Sequence, residues 1–288
     1  MKKYIMLKIE EYFSNSNASY SFITIFFRIS IGLLALIDVL SIISDIKSFF
    51  SKDQTIIPQE LLYLYSDYYG FLKPIYVFLE TNNYLDLFYN NIILLYIIAL
   101  ILFIIGFKSR LVSIIVLVLQ LIIFKSFSSF NYGFDNFLTI SFFYTALFPA
   151  TFLYKEDNIT YSLFLRRFLQ AHLCIVYFTS GIAKSIDTGW WNGNAIYKSI
   201  SSIYKFSIEL PPTIYAVLSF SILLMEIFYP LILFKRFRNI ILISIISMHL
   251  GIAFFLNLYS FATIMIIWNI TAFCKDFNFV KPKEAVLN

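Results

Sequence analysis

Long apolar runs recur along almost the whole of this 288-residue chain, and that recurrence leaves few folds open to it. A helix that crosses a hydrocarbon core of roughly 30 Å needs about 20 mostly apolar residues. Inside such a core the backbone must satisfy its own N–H and C=O groups, which restricts a crossing chain to helices or closed barrels. Runs of this length predict helices. Eight are read, over 21–43, 87–107, 111–127, 134–153, 161–184, 212–234, 240–256 and 258–273, the last two divided near Asn257. The expected fold class is all-α, a polytopic integral membrane protein with about eight transmembrane helices.

Composition agrees with this reading. Hydrophobic residues make up 60% of the chain and charged ones 14%, whereas a soluble domain carries about 25% charged residues. The net charge of +5 is not a nucleic-acid signal, because the cations are spaced by topology. Lys2, Lys3 and Lys8 precede the first run. Lys108 and Arg110 separate the second and third, and Lys155, Arg166 and Arg167 lie around the fourth-to-fifth junction. Lys235, Arg236 and Arg238 separate the sixth and seventh, and Lys275, Lys281 and Lys283 follow the last.

Every second connection is thus basic. Under the positive-inside rule this places both termini in the cytoplasm, here of a bacterium, since the Lys- and Ile-rich usage suits an AT-rich genome. The expected location is the inner membrane, with membrane lipid as a partner and no nucleic acid. Residues 1–20 are expected to be a cytoplasmic amphipathic segment: Tyr4, Ile5, Leu7, Ile9 and Phe13 alternate with charges, without the pattern of a signal peptide. Residues 21–274 form the transmembrane domain and 275–288 a short cytoplasmic tail. Two longer connections, 44–86 and 185–211, face outward.

Ionisable groups inside a span cost roughly 2.5–3.5 kcal/mol on insertion scales and are functional candidates. They are Arg28 and Asp38 in the first run, Lys125 and Asp135 at the third-to-fourth junction, His172 and Lys184 in the fifth, Glu226 in the sixth and His249 in the seventh. Topology sets Lys184, His249, Asp38 and Asp135 toward the outer side. Arg28 and Asp38 read best as structural pairing groups, and His172 as a helix-to-helix hydrogen-bonding group. Glu226 is either protonated or paired. Asp135 also suits a helix cap.

Lys184 is the leading chemical candidate. It ends an apolar run with Gly181 one turn before it, and Trp190 and Trp191 follow in a polar turn. That arrangement is either an interfacial anchor, with the ammonium snorkelling to the surface, or the mouth of a site in which lysine acts as a general base. No His-Glu-x-x-His, paired-cysteine or phosphate-cradling glycine motif occurs, and no metal is predicted. Cys174 and Cys274 imply no disulfide framework.

Several stretches in order resemble the HTTM (horizontally transferred transmembrane) superfamily, which includes the membrane domain of the vitamin K-dependent γ-carboxylase. FRISIGLLALIDVL, with Arg28, Gly32 and Asp38, is similar to its opening helix. YSDYYG resembles a motif of its first outer loop, and GFKSRLVSI and NYGFDNFLTISFFYTALFPA its second-to-third loop and fourth span. YFTSGIAKSIDTGWWNGNAIY resembles the family pattern of tyrosine, small residue and Gly, Lys, Trp, Gly and Ala, here with a second tryptophan and one added residue before Trp190. His249 matches the family histidine.

In length and layout the chain is similar to stand-alone bacterial members of the SdpB-like type, which mature a sporulation-delaying peptide toxin. The resemblance implies catalytic roles for Lys184, as the base, and His249. It adds Asp135, Trp190, Trp191, Gly181 and Asp38 as substrate- or quinone-site candidates. It further implies a reduced quinone (menaquinone or vitamin K hydroquinone) with O2 and CO2, a secreted peptide substrate and a partner maturation protein. A non-catalytic scaffold or export factor, and a DoxX-like quinone-binding protein or small transporter, are the rival expectations.

Overall fold

The structure is a computed structural model that describes residues 19–45, 48–49, 69–124, 131–149, 156–201 and 210–274. Among these residues it is entirely helical. The long elements are α1 (Ser19–Ser41), α2 (Tyr69–Thr81), α3 (Leu85–Ile105), α4 (Ser109–Phe124), α5 (Gly133–Leu147) and α6 (Glu156–Ile186). They continue with α7 (Thr188–Asn192), α8 (Asn194–Ser201), α9 (Pro212–Ile227), α10 (Lys235–Leu256) and α11 (Tyr259–Phe273). Each of the eight apolar runs overlaps one of these helices. The segments 1–18 and 275–288, and with them the expected amphipathic segment and tail, lie outside the described residues, as does Lys125.

Local chemistry sets the boundaries. Gly106 ends α3 at φ 84°, in the left-handed region that a side chain rarely adopts. Asn257 ends α10 at φ 53°; asparagine tolerates that region better than most residues, so the last apolar run becomes two helices at this point. The run 212–234 is not one α-helix. Pro230 lacks the N–H that would bond the Glu226 carbonyl, and the chain passes from α9 into a 3₁₀ turn over Tyr229–Leu233. The two longer connections also hold more structure than expected. The first contains α2, and the polar turn after Lys184 is folded into α7 and α8.

Helices α1, α6 and α11 pack against one another at the centre. The chain α3–α4–α5 wraps one side and α9–α10 the other. Trp268 of α11 is fully buried at the hub. Its indole N–H donates to Ser141 Oγ at 2.8 Å, and its ring meets Phe137 at 5.0 Å, His172 at 5.1 Å and Tyr144 at 5.8 Å. His172 in turn shares a 2.9 Å hydrogen bond with the Tyr144 hydroxyl, a helix-to-helix link between α5 and α6.

One end of the bundle is held by cations on helix C-termini, where carbonyls lack donors and the dipole is negative. Arg28 Nη2 donates to the Ile104 carbonyl at 3.4 Å. Arg166 Nε and Gln170 Nε2 both donate to the Ala272 carbonyl at 2.8 Å. Arg238 reaches the Ile232 and Leu233 carbonyls that close the 3₁₀ turn. Arg28 is therefore part of the scaffold.

The outer faces are as apolar as the core. Among the described residues three helices are long and apolar enough to cross a membrane, Ile23–Ser41, Leu85–Ile105 and Lys235–Leu256, and three shorter ones are apolar as well. On α10, Ile240, Ile243, Leu250 and Phe254 are each more than half exposed while His249 on the same helix is buried. A soluble helix has the reverse arrangement.

Candidate functional site

Several polar residues of the bundle lie on or against α6. Tyr177 and Lys184 lie seven residues apart, two turns of helix, and so share one face. Gly181 lies between them on the side toward α9. A Cβ on Gly181 would sit 2.8 Å from the Ile227 backbone nitrogen and 3.1 Å from the Glu226 carbonyl carbon. Only glycine allows this approach of the two backbones, and the approach is what brings Glu226 to Lys184.

The contact is an ion pair. Lys184 Nζ donates to both carboxylate oxygens of Glu226 at 2.5 Å and to Ser180 Oγ at 3.1 Å. The two side chains are 23% and 6% exposed. Trp190 of α7 covers the ammonium, with Nζ 4.9 Å from the ring centroid, an arrangement that gains from the ring quadrupole. Of the two states open to Glu226 in the sequence, the structure has the paired one.

Lys184 stands near the end of α6, yet the pair does not lie at the edge of the fold. Glu226 is fourteen residues from the Pro212 end of α9, or about 21 Å of helix. The intervening turns of α9 pack against α7 and α8. Asp187 caps α7 by accepting from Gly189 N at 2.8 Å, and Trp191 anchors it through a 2.9 Å bond from its indole N–H to the Ser185 carbonyl. Trp190 thus faces inward over Lys184, whereas Trp191 is half exposed and meets Phe220.

Two turns back along α6, at Tyr177, lies a second set of groups. His249 of α10 is 1% exposed. Its Nε2 is 2.6 Å from the Tyr177 hydroxyl, and that hydroxyl accepts from Asn269 Nδ2 at 3.0 Å. Asn269 Oδ1 accepts from the Tyr229 hydroxyl at 2.6 Å, and the Tyr177 and Tyr229 rings lie 4.2 Å apart. His249 Nδ1 is buried and has no hydrogen-bond partner among the described residues. The two sets are within electrostatic range, Glu226 of Tyr177 and Lys184 of His249.

Asp38 and Asp135 belong elsewhere. They lie within electrostatic range of each other and of Tyr96, whose hydroxyl donates to Gln120 Oε1. Asp135 Oδ2 accepts the Tyr132 backbone N–H at 2.9 Å and so caps α5. No hydrogen bond or ion pair among the described residues links either carboxylate to Lys184 or His249. The four outward candidates therefore divide into two places, Lys184 with His249 on the α6–α9–α10 side and Asp38 with Asp135 on the α1–α3–α5 side.

Tyr229 and Asn269 were not singled out by sequence reasoning, and Tyr177 entered only as the tyrosine of the YFTSGIAK pattern, with no role assigned. Asn269 carried a usable signal, an amide within the apolar run IIWNITAF. Tyr177 carried another, its two-turn spacing from Lys184. Among the described residues no three His, Cys, Asp or Glu side chains converge as metal ligands do.

Comparison with protein-family profiles, with curated proteins and with solved structures finds no match to this chain, so its site is read from its own geometry.

Proposed function

We propose that the chain is an eight-span, HTTM-type protein of the bacterial inner membrane, with both termini cytoplasmic. On this reading it uses the Lys184–Glu226 pair at an outward-facing site for quinol-dependent modification of a secreted peptide. A partner maturation protein would supply peptide recognition. The observation that carries the reading is the direction of the Lys184 side chain. An interfacial anchor extends its ammonium toward water; this one turns to a buried carboxylate under an indole. The apolar outer faces and the basic end of the bundle support the membrane topology.

The residues fit a reduced quinone by chemistry. Such a molecule presents hydroxyls on an aromatic ring, and the site offers a carboxylate to accept a proton, an ammonium to hold negative charge on oxygen, and the Trp190 indole for ring contact. When bound, the quinol would supply electrons to O2 and thereby a base strong enough to open a peptide carbon to CO2. The protein's own part is proton management. Glu226 accepts, Lys184 holds the resulting charge distribution through its short hydrogen bonds, and Trp190 with α7 limits water at the pair. A preorganised pair of this kind is worth more in a water-poor site than at a surface.

The test is quinol oxidation by the purified protein in lipid, with reduced menaquinone or vitamin K and oxygen. Epoxide made by wild type and lost in both Lys184→Ala and Glu226→Gln is the expected result. Folded protein that makes no epoxide and binds no quinone, with or without the candidate peptide, would overturn the reading in favour of a scaffold. Under that alternative Lys184→Arg would leave peptide maturation intact.

A further inference from the structure

The hydrogen bonds that end at His249 have directions that can be deduced, because one of them is fixed by a group that can only accept. Asn269 Nδ2 lies 2.9 Å from the Met265 backbone carbonyl. A carbonyl has no proton, so the nitrogen side of the Asn269 amide must face it, and the amide cannot be flipped without placing two oxygens together. The same Nδ2 then donates its second proton to the Tyr177 hydroxyl at 3.0 Å. Asn269 Oδ1 is left to face Tyr229, whose hydroxyl donates to it at 2.6 Å.

Tyr177 is thereby an acceptor from Asn269, and its own proton remains to be placed. Tyr177 is buried, 3% exposed, and the remaining hydrogen-bond partner of its hydroxyl is His249 Nε2 at 2.6 Å. Two arrangements satisfy that contact. In one, Tyr177 donates to an unprotonated Nε2, and the imidazole carries its proton on Nδ1. In the other, Nε2–H donates to Tyr177, whose own proton then has no acceptor, while Nδ1 is left as a lone pair without a donor. The first leaves one buried group unpaired and the second leaves two. Each unpaired buried polar group costs about 1–3 kcal/mol, so the first arrangement wins.

We propose that the chain from the Met265 carbonyl through Asn269 to Tyr177 locks His249 as the neutral Nδ1–H tautomer, and that this N–H is the hydrogen-bond donor to a carbonyl oxygen of the ligand. Nδ1 is buried and unpaired among the described residues, and a preorganised buried donor of this kind suits an oxygen on which negative charge develops. Tyr177 is the positioning residue, acting through His249, and Asn269, oriented by the Met265 carbonyl, sets the direction of its proton. The ligand half of the proposal rests on the reading of a quinone or peptide site above; the tautomer half does not.

The chain has two histidines, His172 and His249, so the nitrogen NMR spectrum of protein labelled with 15N-histidine in lipid nanodiscs contains two imidazoles. His172→Gln assigns them. The expected His249 pattern is a protonated Nδ1 and an unprotonated Nε2. Tyr177→Phe should move the balance toward Nε2–H, whereas Tyr229→Phe should leave it in place, because the Met265 carbonyl still orients Asn269. An Nε2–H tautomer in wild type, or an unchanged balance in folded Tyr177→Phe, would overturn the lock. Should Tyr177→Phe fail to fold, the wild-type tautomer still decides.

Adding menadione in one arm and N-acetylglutamate N-methylamide in the other tests the donor. A shift of the Nδ1 resonance with either supports it and says which carbonyl source the site takes. No shift with either, in protein that keeps the Nδ1–H tautomer, would overturn the donor role. Retention of quinol oxidation in that same protein would show that the wider functional reading survives the loss.

Discussion

Lys184 of α6 and Glu226 of α9 are 42 residues apart in sequence and meet through hydrogen bonds of 2.5 Å, with Trp190 above the ammonium. Each ion is tolerable in its place because the other is there. Removing one partner strands a charge in a water-poor interior, whereas removing both leaves apolar surface that can repack.

Lys184→Met and Glu226→Leu should therefore each lower unfolding stability by roughly 2–4 kcal/mol, and the double variant should recover most of that loss. Thermal or denaturant unfolding in detergent reads all three. Losses that simply add would show that the two side chains do not stabilise each other.

Gly181 controls the distance between the helices that carry the pair. Gly181→Ala places a methyl 2.8 Å from the Ile227 backbone nitrogen, which α9 can relieve only by moving away, at a cost of roughly 1–3 kcal/mol. The expected outcome is a stability loss together with loss of the pair, so that Gly181→Ala combined with Glu226→Gln costs less than the sum. Additivity in that cycle would separate the glycine from the pair.

Ser141 is the acceptor that makes Trp268 acceptable at the hub. Ser141→Ala leaves a buried indole N–H unpaired and should cost about 1–3 kcal/mol, read as a lower unfolding midpoint. Ser141→Thr, which keeps the oxygen, should retain more of the stability than alanine does. Equal losses for the two would mean that packing volume, and not the hydrogen bond, matters at this position.

The topology gives a fourth prediction. In a background with Cys174 and Cys274 replaced by alanine, a membrane-impermeant maleimide should label Asn82→Cys and Asn192→Cys in intact cells. Arg110→Cys and Arg236→Cys should label only after permeabilisation. Labelling of all four from one side would sink the eight-span arrangement.

Much of the helical framework was legible. The apolar runs marked where helices form and Asn257 where the last of them divides. The break at Pro230 went unread, and the run 212–234 reads as one helix. Elements without an apolar run of their own were not legible: α2, α7 and α8 are short helices inside connections, stabilised by what they pack against. Lys184 stood out because a cation in an apolar run is costly. Glu226 stood out equally, yet nothing marked the two as partners, and Asp38 and Asp135 looked just as eligible by depth.

The sequence by itself determined that this chain builds apolar helices with cations at alternate connections, since backbone satisfaction and charge placement act locally. Only the tertiary structure decided that Lys184 faces Glu226, that Tyr177 faces His249, and that Asp38 and Asp135 stand apart from both. The reason is physical. In a lipid environment the outside of a helix is as apolar as its packed side, as on α10, where exposed Ile240, Ile243 and Phe254 share a helix with buried Leu242 and Ile245. No apolar stripe then tells which face turns inward. That rotation is set by close contacts such as Gly181 against Ile227, which exist only once the helices have met.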